Sequence, residues 1–293
     1  MNWNQIAAAI SVACGQPFNL QRTDSIGGGC INSAYRLVGE RQSYFVKLNR
    51  ADRLDMFEAE AEGLQALAEA QAIKVPLPVC TGIEAQQAYL VVEYFEGGGG
   101  NSGAAETFGQ QLANLHRHSS PQFGWYRDNT IGSTLQPNTP SNDWLVFWRQ
   151  QRLGFQLGLA EQHGAAGSLL RKGDALLQCM DGLFTDHQPQ PSLLHGDLWS
   201  GNYAVTREGE PIIFDPAVYF GDREADLAMT ELFGGFARRF YAAYNDAWPL
   251  DSGYAVRKTF YNLYHILNHF NMFGGGYAGQ AERMIEQILS ELR

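Results

Sequence analysis

The 293-residue sequence predicts an α+β protein: a small antiparallel-sheet lobe followed by a larger, mainly helical lobe. Three observations lead there. Short runs rich in β-branched and aromatic residues cluster before residue 96, while helical spacing of apolar residues dominates afterwards. Between the two regimes stands the run Gly97-Gly98-Gly99-Gly100, the longest low-complexity tract. The regular strand–helix alternation of a doubly wound parallel sheet is missing, which argues against a dinucleotide-binding fold. The expected organisation is therefore a first lobe over 1–96 and a second over 97–293, with a hinge near 93–100. With 45% hydrophobic residues, both can hold ordinary cores without disulfide or metal support.

Taken in order, Trp3, Ile6 and Ile10 mark the buried side of an opening amphipathic helix. The apolar stretch 6–14 could pass for a signal-peptide core, but no Lys or Arg precedes Arg22, so a secretory leader is not expected. Strands are expected at 35–37, 44–48 and 89–95, interrupted by a helix over 53–70. Further helices are expected at 106–118, 143–163, 169–184, 224–245 and 253–273, with a last one from 280. A compact hairpin pairs 204–206 with 212–214 around the turn 207–210. No apolar span approaches the roughly 20 residues that cross a bilayer.

Charge and cysteine content narrow the partners. Lys and Arg number 21 against 31 Asp and Glu, a formal net charge of −10, and no basic run interrupts it. Such a surface repels nucleic-acid phosphates and anionic lipid, so neither nucleic acid nor membrane is expected as a partner. Cys14, Cys30, Cys80 and Cys179 are scattered without Cys-x-x-Cys spacing, which fits a reducing, cytoplasmic setting.

Three stretches can carry chemistry. In Ser25-Ile26-Gly27-Gly28-Gly29-Cys30, successive glycines let backbone N–H groups approach a phosphate chain, although for an isolated glycine cluster an ordinary hairpin loop is the better account. In Tyr44-Phe45-Val46-Lys47-Leu48, alternation places Lys47 with Phe45 and opposite Tyr44, Val46 and Leu48, so it is either a snorkelling surface lysine or the cation of a buried pair. Helical phase offers the partner. Phe57, Ala61, Leu64, Leu67 and Ala68 form one stripe, and Glu60 falls inside it while Glu58 and Glu62 fall outside. A carboxylate in a buried sector requires a cation.

The third stretch is His195-Gly196-Asp197-Leu198-Trp199-Ser200-Gly201-Asn202, followed by Ile213-Phe214-Asp215. With the hairpin turn centred on Glu208 and Gly209, facing residues have numbers summing to 417, which sets Asn202 opposite Asp215. An amide oxygen and a carboxylate there suit Mg2+, a hard cation that keeps positions for water and phosphates. Asp197, in the preceding loop, could take the proton from an attacking hydroxyl.

Together these residues resemble the catalytic signature of the aminoglycoside-phosphotransferase and protein-kinase-like superfamily. With Met56-Phe57-Glu58-Ala59-Glu60, Phe123-Gly124-Trp125, Asp128-Asn129-Thr130-Ile131-Gly132, residues 214–228 and Phe273-Gly274-Gly275-Gly276-Tyr277, the whole chain is similar to the fructosamine/ketosamine-3-kinase family. The resemblance implies a bilobal kinase-like fold that uses ATP and Mg2+ to phosphorylate the sugar 3-hydroxyl of a small-molecule or protein-bound ketosamine. It implies Gly27, Gly28, Gly29 and Lys47 on the phosphates with Glu60 pairing Lys47, backbone groups of Glu93 to Phe95 at the adenine, Asp197 as base, and Asn202 and Asp215 on the metal. Trp125, Asp128, Trp199 and His265 are candidates for the sugar pocket. Cys30 is a candidate redox switch, with the chain a monomer or a redox-linked homodimer. Asp215-Pro216-Ala217 departs from the Asp-Phe-Gly of protein kinases, and no Ala-Pro-Glu follows, so an activation-loop protein kinase is disfavoured. Kinases of an aminoglycoside, choline or free sugar, and a non-catalytic nucleotide-binding protein, are the alternatives.

Overall fold

A computed structural model describes residues 1–27, 31–98 and 103–292. The chain divides into two compact units. One comprises Met1–Ala104 with Ala204–Pro216, and the other Ala105–Tyr203 with Ala217–Arg293.

The first unit opens with α1 (Trp3–Cys14), capped by the Asn2 side chain and closed by Gly15 in the left-handed region, φ +66°. Next come β1 (Leu20–Ile26), β2 (Ser33–Gly39), β3 (Ser43–Arg50), α2 (Leu54–Glu69), β4 (Pro78–Glu84) and β5 (Gln87–Glu93). The strands form one antiparallel sheet in the order β1-β2-β3-β5-β4. Alternation on β3 sends Tyr44, Val46 and Leu48 to a core shared with Ile6 and Ile10 of α1. On α2, Phe57, Leu64 and Leu67 are buried. Strands β1 and β4 are absent from the sequence reading, and both are edge strands. Buried on neither face throughout, they lack the apolar alternation that reveals a central strand.

The second unit contains α3 (Ala104–His116), the short pair β6 (Asn129–Ile131) and β7 (Thr134–Gln136), α4 (Trp144–Phe147), α5 (Gly154–Gln162) and α6 (Gly167–Cys179). Strand β8 (Ser192–Leu194) precedes the hairpin β9 (Tyr203–Val205) and β10 (Pro211–Ile213), and β11 (Tyr219–Gly221) then pairs antiparallel with β8. Helices α7 (Arg223–Leu232), α8 (Arg238–Ala247), α9 (Tyr254–Phe273) and α10 (Tyr277–Glu291) complete the chain. Trp144, Trp148, Phe260, Tyr261 and Tyr264 sit at the centre of this core.

Three local expectations change. The helix expected over 224–245 is two helices, because Gly234 and Gly235 take φ of +94° and +72° between α7 and α8. The helix expected over 143–163 carries a π-helical turn, Trp148–Leu153, which seats the fully buried Arg152. In the hairpin, the Thr206 N–H donates to Glu210 O at 2.9 Å and the Gly209 N–H to Thr206 O at 2.9 Å, with Gly209 at φ +88°. That is a three-residue loop with a glycine bulge, so the register is displaced by one from the expected pairing.

Residues 204–216 pack with the first unit, although the sequence reading assigned everything beyond 96 to a second lobe. Gly98 N–H donates to Val205 O at 2.9 Å, Arg207 N–H to Glu96 O at 3.0 Å, and Ile213 N–H to Lys74 O at 3.1 Å. Gly98 permits this approach, since a Cβ there would stand 2.6 Å from Thr206 O.

Candidate active site

In the first unit, β3 points Lys47 away from the α1 core and towards α2, where the side chain is 8% exposed. Its Nζ donates to Glu60 Oε1 at 2.5 Å and to Asp215 Oδ1 at 2.6 Å. Burial opposes the ammonium, but the fields of Asp215 and Glu60 outweigh it and hold the lysine pKa above its usual value. Glu60 is 13% exposed. Burial, offset in part by Lys47, leaves its pKa raised. Asp215 differs: its side chain is 47% exposed, and its backbone adopts φ +58°, a conformation Asp tolerates better than most residues. One carboxylate thus anchors the lysine inside, while the other meets it and faces outward.

In the second unit, β8 runs into the loop 195–202. Gly196 takes φ +83°, and a Cβ at that position would lie 2.0 Å from Ala217 O. Only glycine fits so tight a turn. Ala217 N–H donates to His195 O at 2.8 Å, closing the loop on the segment after the hairpin. Asp226 on α7 accepts the His195 N–H on Oδ2 at 2.7 Å and the Gly196 N–H on Oδ1 at 2.8 Å. Burial opposes this carboxylate, yet its hydrogen bonds, that from His116 first, keep its pKa below the usual value. Asn202 closes the other end by donating Nδ2–H to Asp197 O at 2.8 Å and to Asp197 Oδ2 at 3.2 Å. Asp197 is therefore presented from a loop held at both ends.

In the sequence, Asp222 and Asp226 stand with Asp215 in the signature that resembles the superfamily, either as further ligands or substrate contacts or, more plainly, as favourable charges at a helix start. Asp222 does cap α7, accepting the Glu224 N–H at 3.1 Å, but Asp226 turns inward onto the loop. Among the described residues, the grouping with metal-ligand chemistry, His187, Asp222 and Glu224, is internally bonded, and Arg257 forks onto Glu224 at 2.7 and 2.9 Å.

The remaining candidates have varied surroundings. Glu93 N–H donates to Leu77 O at 2.9 Å, so donation to an adenine edge would fall to backbone beyond it. Phe95 lies with its ring 5.6 Å from that of Phe214. Trp125 packs against Tyr126 and Phe220, its ring tilted to both. Asp128 Oδ1 accepts the Asn138 N–H at 2.8 Å. His265 is buried, and desolvation with His269 nearby pushes its pKa down to about 3. Trp199 is 37% exposed and meets Phe233 edge-on. Gly27 is the last described residue of its glycine run; Gly28, Gly29 and Cys30 lie outside the described residues.

Residues 2–291 match the family described as fructosamine kinase. The chain is 52% identical to a "probable ketoamine kinase" of Synechocystis sp., covering 98% of this chain and 97% of that protein. It is 43% identical to a chloroplastic protein-ribulosamine 3-kinase of Arabidopsis thaliana, covering 95% and 86%. A candidate fructosamine-3-kinase of Haemophilus somnus has a crystal structure that matches with TM-score 0.89 at 30% identity, covering 98% and 97%. A spectinomycin phosphotransferase shares the protein-kinase-like fold at 14% identity and TM-score 0.56, covering 97% and 93%.

Proposed function

The chain belongs to the fructosamine kinase family, and on that premise we propose that it is a ketosamine-3-kinase, moving the γ-phosphoryl group of ATP onto the sugar 3-hydroxyl of an amine-linked ketose. The observation that carries the reading is Lys47, buried and held between Glu60 and Asp215. A lysine so placed is a fixed positive charge at the head of a strand-borne site, suited to the α- and β-phosphates. Glu60 keeps it from collapsing elsewhere.

Asp197 acts at the other end of the reaction. Its carboxylate accepts the 3-hydroxyl proton as the oxygen attacks the γ-phosphorus, and the bond from that phosphorus to the β,γ-bridging oxygen of ATP breaks, releasing ADP. The loop held by Asp226 and Asn202 fixes its position, which matters because phosphoryl transfer depends on alignment and charge neutralisation rather than covalent chemistry. The Asn202 amide oxygen and the Asp215 carboxylate are hard donors of the kind Mg2+ takes. Once bound, the cation would neutralise charge on the transferring phosphates. Gly27 to Gly29 would line the phosphates by backbone, and the segment from Glu93 to Phe95 would meet the adenine. Trp199, two positions after the base, offers an exposed ring face to the sugar. The ketosamine is taken free or on a protein lysine, in the cytoplasm, and Cys30 gives the phosphate loop a redox-sensitive thiol.

An ADP-release assay tests the reading. Ribuloselysine and fructoselysine should be turned over, and kanamycin and choline should not. Asp197→Ala should lower turnover by about 100-fold or more while ATP still binds, since a general base acts on the acceptor. Turnover of kanamycin or choline in preference to both ketosamines would overturn it.

A further inference from the structure

Ala217 and Val218, the two residues before β11, are buried, so their backbone carbonyls need donors from within the protein. Side chains of the short β6–β7 pair supply them. Gln136, the last residue of β7, donates from Nε2 to Ala217 O at 3.0 Å. Asn129, the first of β6, donates from Nδ2 to Val218 O at 2.8 Å.

The polarity of these amides is fixed from a distance. Arg152, fully buried in the π-helical turn with its guanidinium over the rings of Tyr219 and Phe147 at 4.1 and 4.7 Å, donates from Nη2 to Asn138 Oδ1 at 2.7 Å and from Nη1 to Pro137 O at 2.5 Å. A guanidinium only donates, so Asn138 must turn its oxygen to Arg152 and its nitrogen away. That nitrogen donates to Asn129 Oδ1 at 3.0 Å, and Gln136 Nε2 donates to the same oxygen at 2.8 Å. The Asn129 nitrogen is thereby left for Val218 O. At the far side Gln136 Oε1 accepts the Tyr264 hydroxyl of α9 at 2.8 Å. Reversing the Gln136 amide would set its oxygen against two acceptors, Asn129 Oδ1 and Ala217 O. Hydrogen bonds therefore run one way, from Arg152 towards the carbonyls before β11.

We propose that Gln136 is a positioning residue, whose amide nitrogen braces Ala217 from behind and so seats the His195–Gly196 turn from which Asp197 projects. This rests on the reading of Asp197 as the base. Ala217 is gripped at both ends, its N–H donating to His195 O at 2.8 Å and its oxygen accepting from Gln136. The same oxygen lies against Gly196, 2.0 Å from where a Cβ would stand. Without the Gln136 nitrogen that carbonyl loses its donor, the peptide can turn, and the surface on which Gly196 rests shifts.

Two variants of the one network separate positioning from stability. Gln136→Met keeps the length of the side chain and removes both donated bonds. It should lower kcat for a ketosamine by about 10- to 100-fold, the scale of misplacing a reacting group by about 1 Å, with KM for ATP unchanged. Tyr264→Phe removes one buried hydroxyl but leaves both bonds from the Gln136 nitrogen, so it should lower the melting temperature and keep most of the rate. Equal kcat in Gln136→Met and wild type, or a kcat that falls alike in the two variants, would overturn the proposal. Should Gln136→Met fail to fold, Gln136→Glu carries the test, since it keeps an acceptor for Tyr264 and loses both donors; wild-type kcat there would be equally fatal. Hydrogen exchange gives a readout without substrate. The Ala217 N–H should exchange about tenfold or more faster in Gln136→Met than in Tyr264→Phe, and equal rates would remove the brace. A wild type that phosphorylates no ketosamine would remove the functional reading and still leave the exchange comparison decided.

Discussion

Lys47 and Asp215, 168 positions apart, meet with Nζ 2.6 Å from Oδ1 inside one compact unit. The hairpin returns the second residue to the first: residues 204–216 pack against the sheet unit, which brings Asp215 to the strand carrying Lys47. Glu60 completes the set from α2.

The three groups differ in exposure, and that difference predicts their energetics. Lys47→Met leaves Glu60 buried without its cation, a loss of about 3–5 kcal/mol, whereas Asp215 can turn to water. The double variant Lys47→Met with Glu60→Met should recover part of that loss, because an apolar pair replaces a buried charge. Both proteins should be inactive in ADP release. Urea unfolding of the two checks the order of stabilities, and a Lys47→Met protein as stable as wild type would mean that the pair is not buried as described.

Gly196 is the second test of geometry. Alanine there must adopt φ +83° and place a methyl carbon 2.0 Å from Ala217 O. Gly196→Ala should therefore cost about 2 kcal/mol or more, the scale of a strained backbone residue. It should also lower kcat, since the neighbouring residue is Asp197. Thermal unfolding and turnover measured together check this. Unchanged kcat in the folded variant would separate the turn from the chemistry.

How much of this was legible in the sequence depended on the kind of signal. Lys47 and Glu60 could be paired because both sit in long elements whose periodicities assign a face. Asp197, Asn202 and Asp215 stood out because acids and amides crowd a loop and a hairpin end. Asp226 stood out as part of the signature, but its hold on the loop backbone did not. A carboxylate in the first turn of a helix has the same spacing whether it faces solvent or turns onto a neighbouring loop, and only the fold distinguishes them. Edge strands β1 and β4 were missed because neither is fully buried on one face. The one-residue change of hairpin register came from a bulge at Gly209, which a symmetric turn does not anticipate. The break between α7 and α8 did have a signal, the adjacent Gly234 and Gly235.

Asp215 supplies a third prediction, on cation demand. If its outward carboxylate takes Mg2+, Asp215→Asn should raise the Mg2+ concentration for half-maximal rate by about tenfold or more, because a neutral amide replaces an anionic ligand. Lys47 would keep Glu60 as its partner, so the fold should survive. Titrating Mg2+ at fixed ketosamine and ATP measures it, and chelation should stop wild-type turnover. An unaltered Mg2+ requirement would remove Asp215 from the metal site.

His187 gives stability a pH dependence whose sign can be worked out. Its Nε2 lies 2.6 Å from Asp222 Oδ2 and its Nδ1 2.5 Å from Asp251 Oδ2, with Glu224 at 3.9 Å. Burial alone would depress the imidazole, but the hydrogen bond and charge of Asp222, then Glu224 and Asp251, push its pKa up to about 8. The folded state therefore binds this proton more tightly than the unfolded chain, where an ordinary histidine titrates near 6.5. The linked stabilisation, about 2 kcal/mol for such a shift, is fully present below pH of about 6.5 and is lost as pH rises through about 8. Urea unfolding at a series of pH values from 6 to 9 should show that decline in wild type. His187→Gln, which cannot take up a proton, should lack this component, so the difference in stability between the two proteins should narrow as pH rises; a difference that stayed constant would show that His187 does not titrate between the two carboxylates.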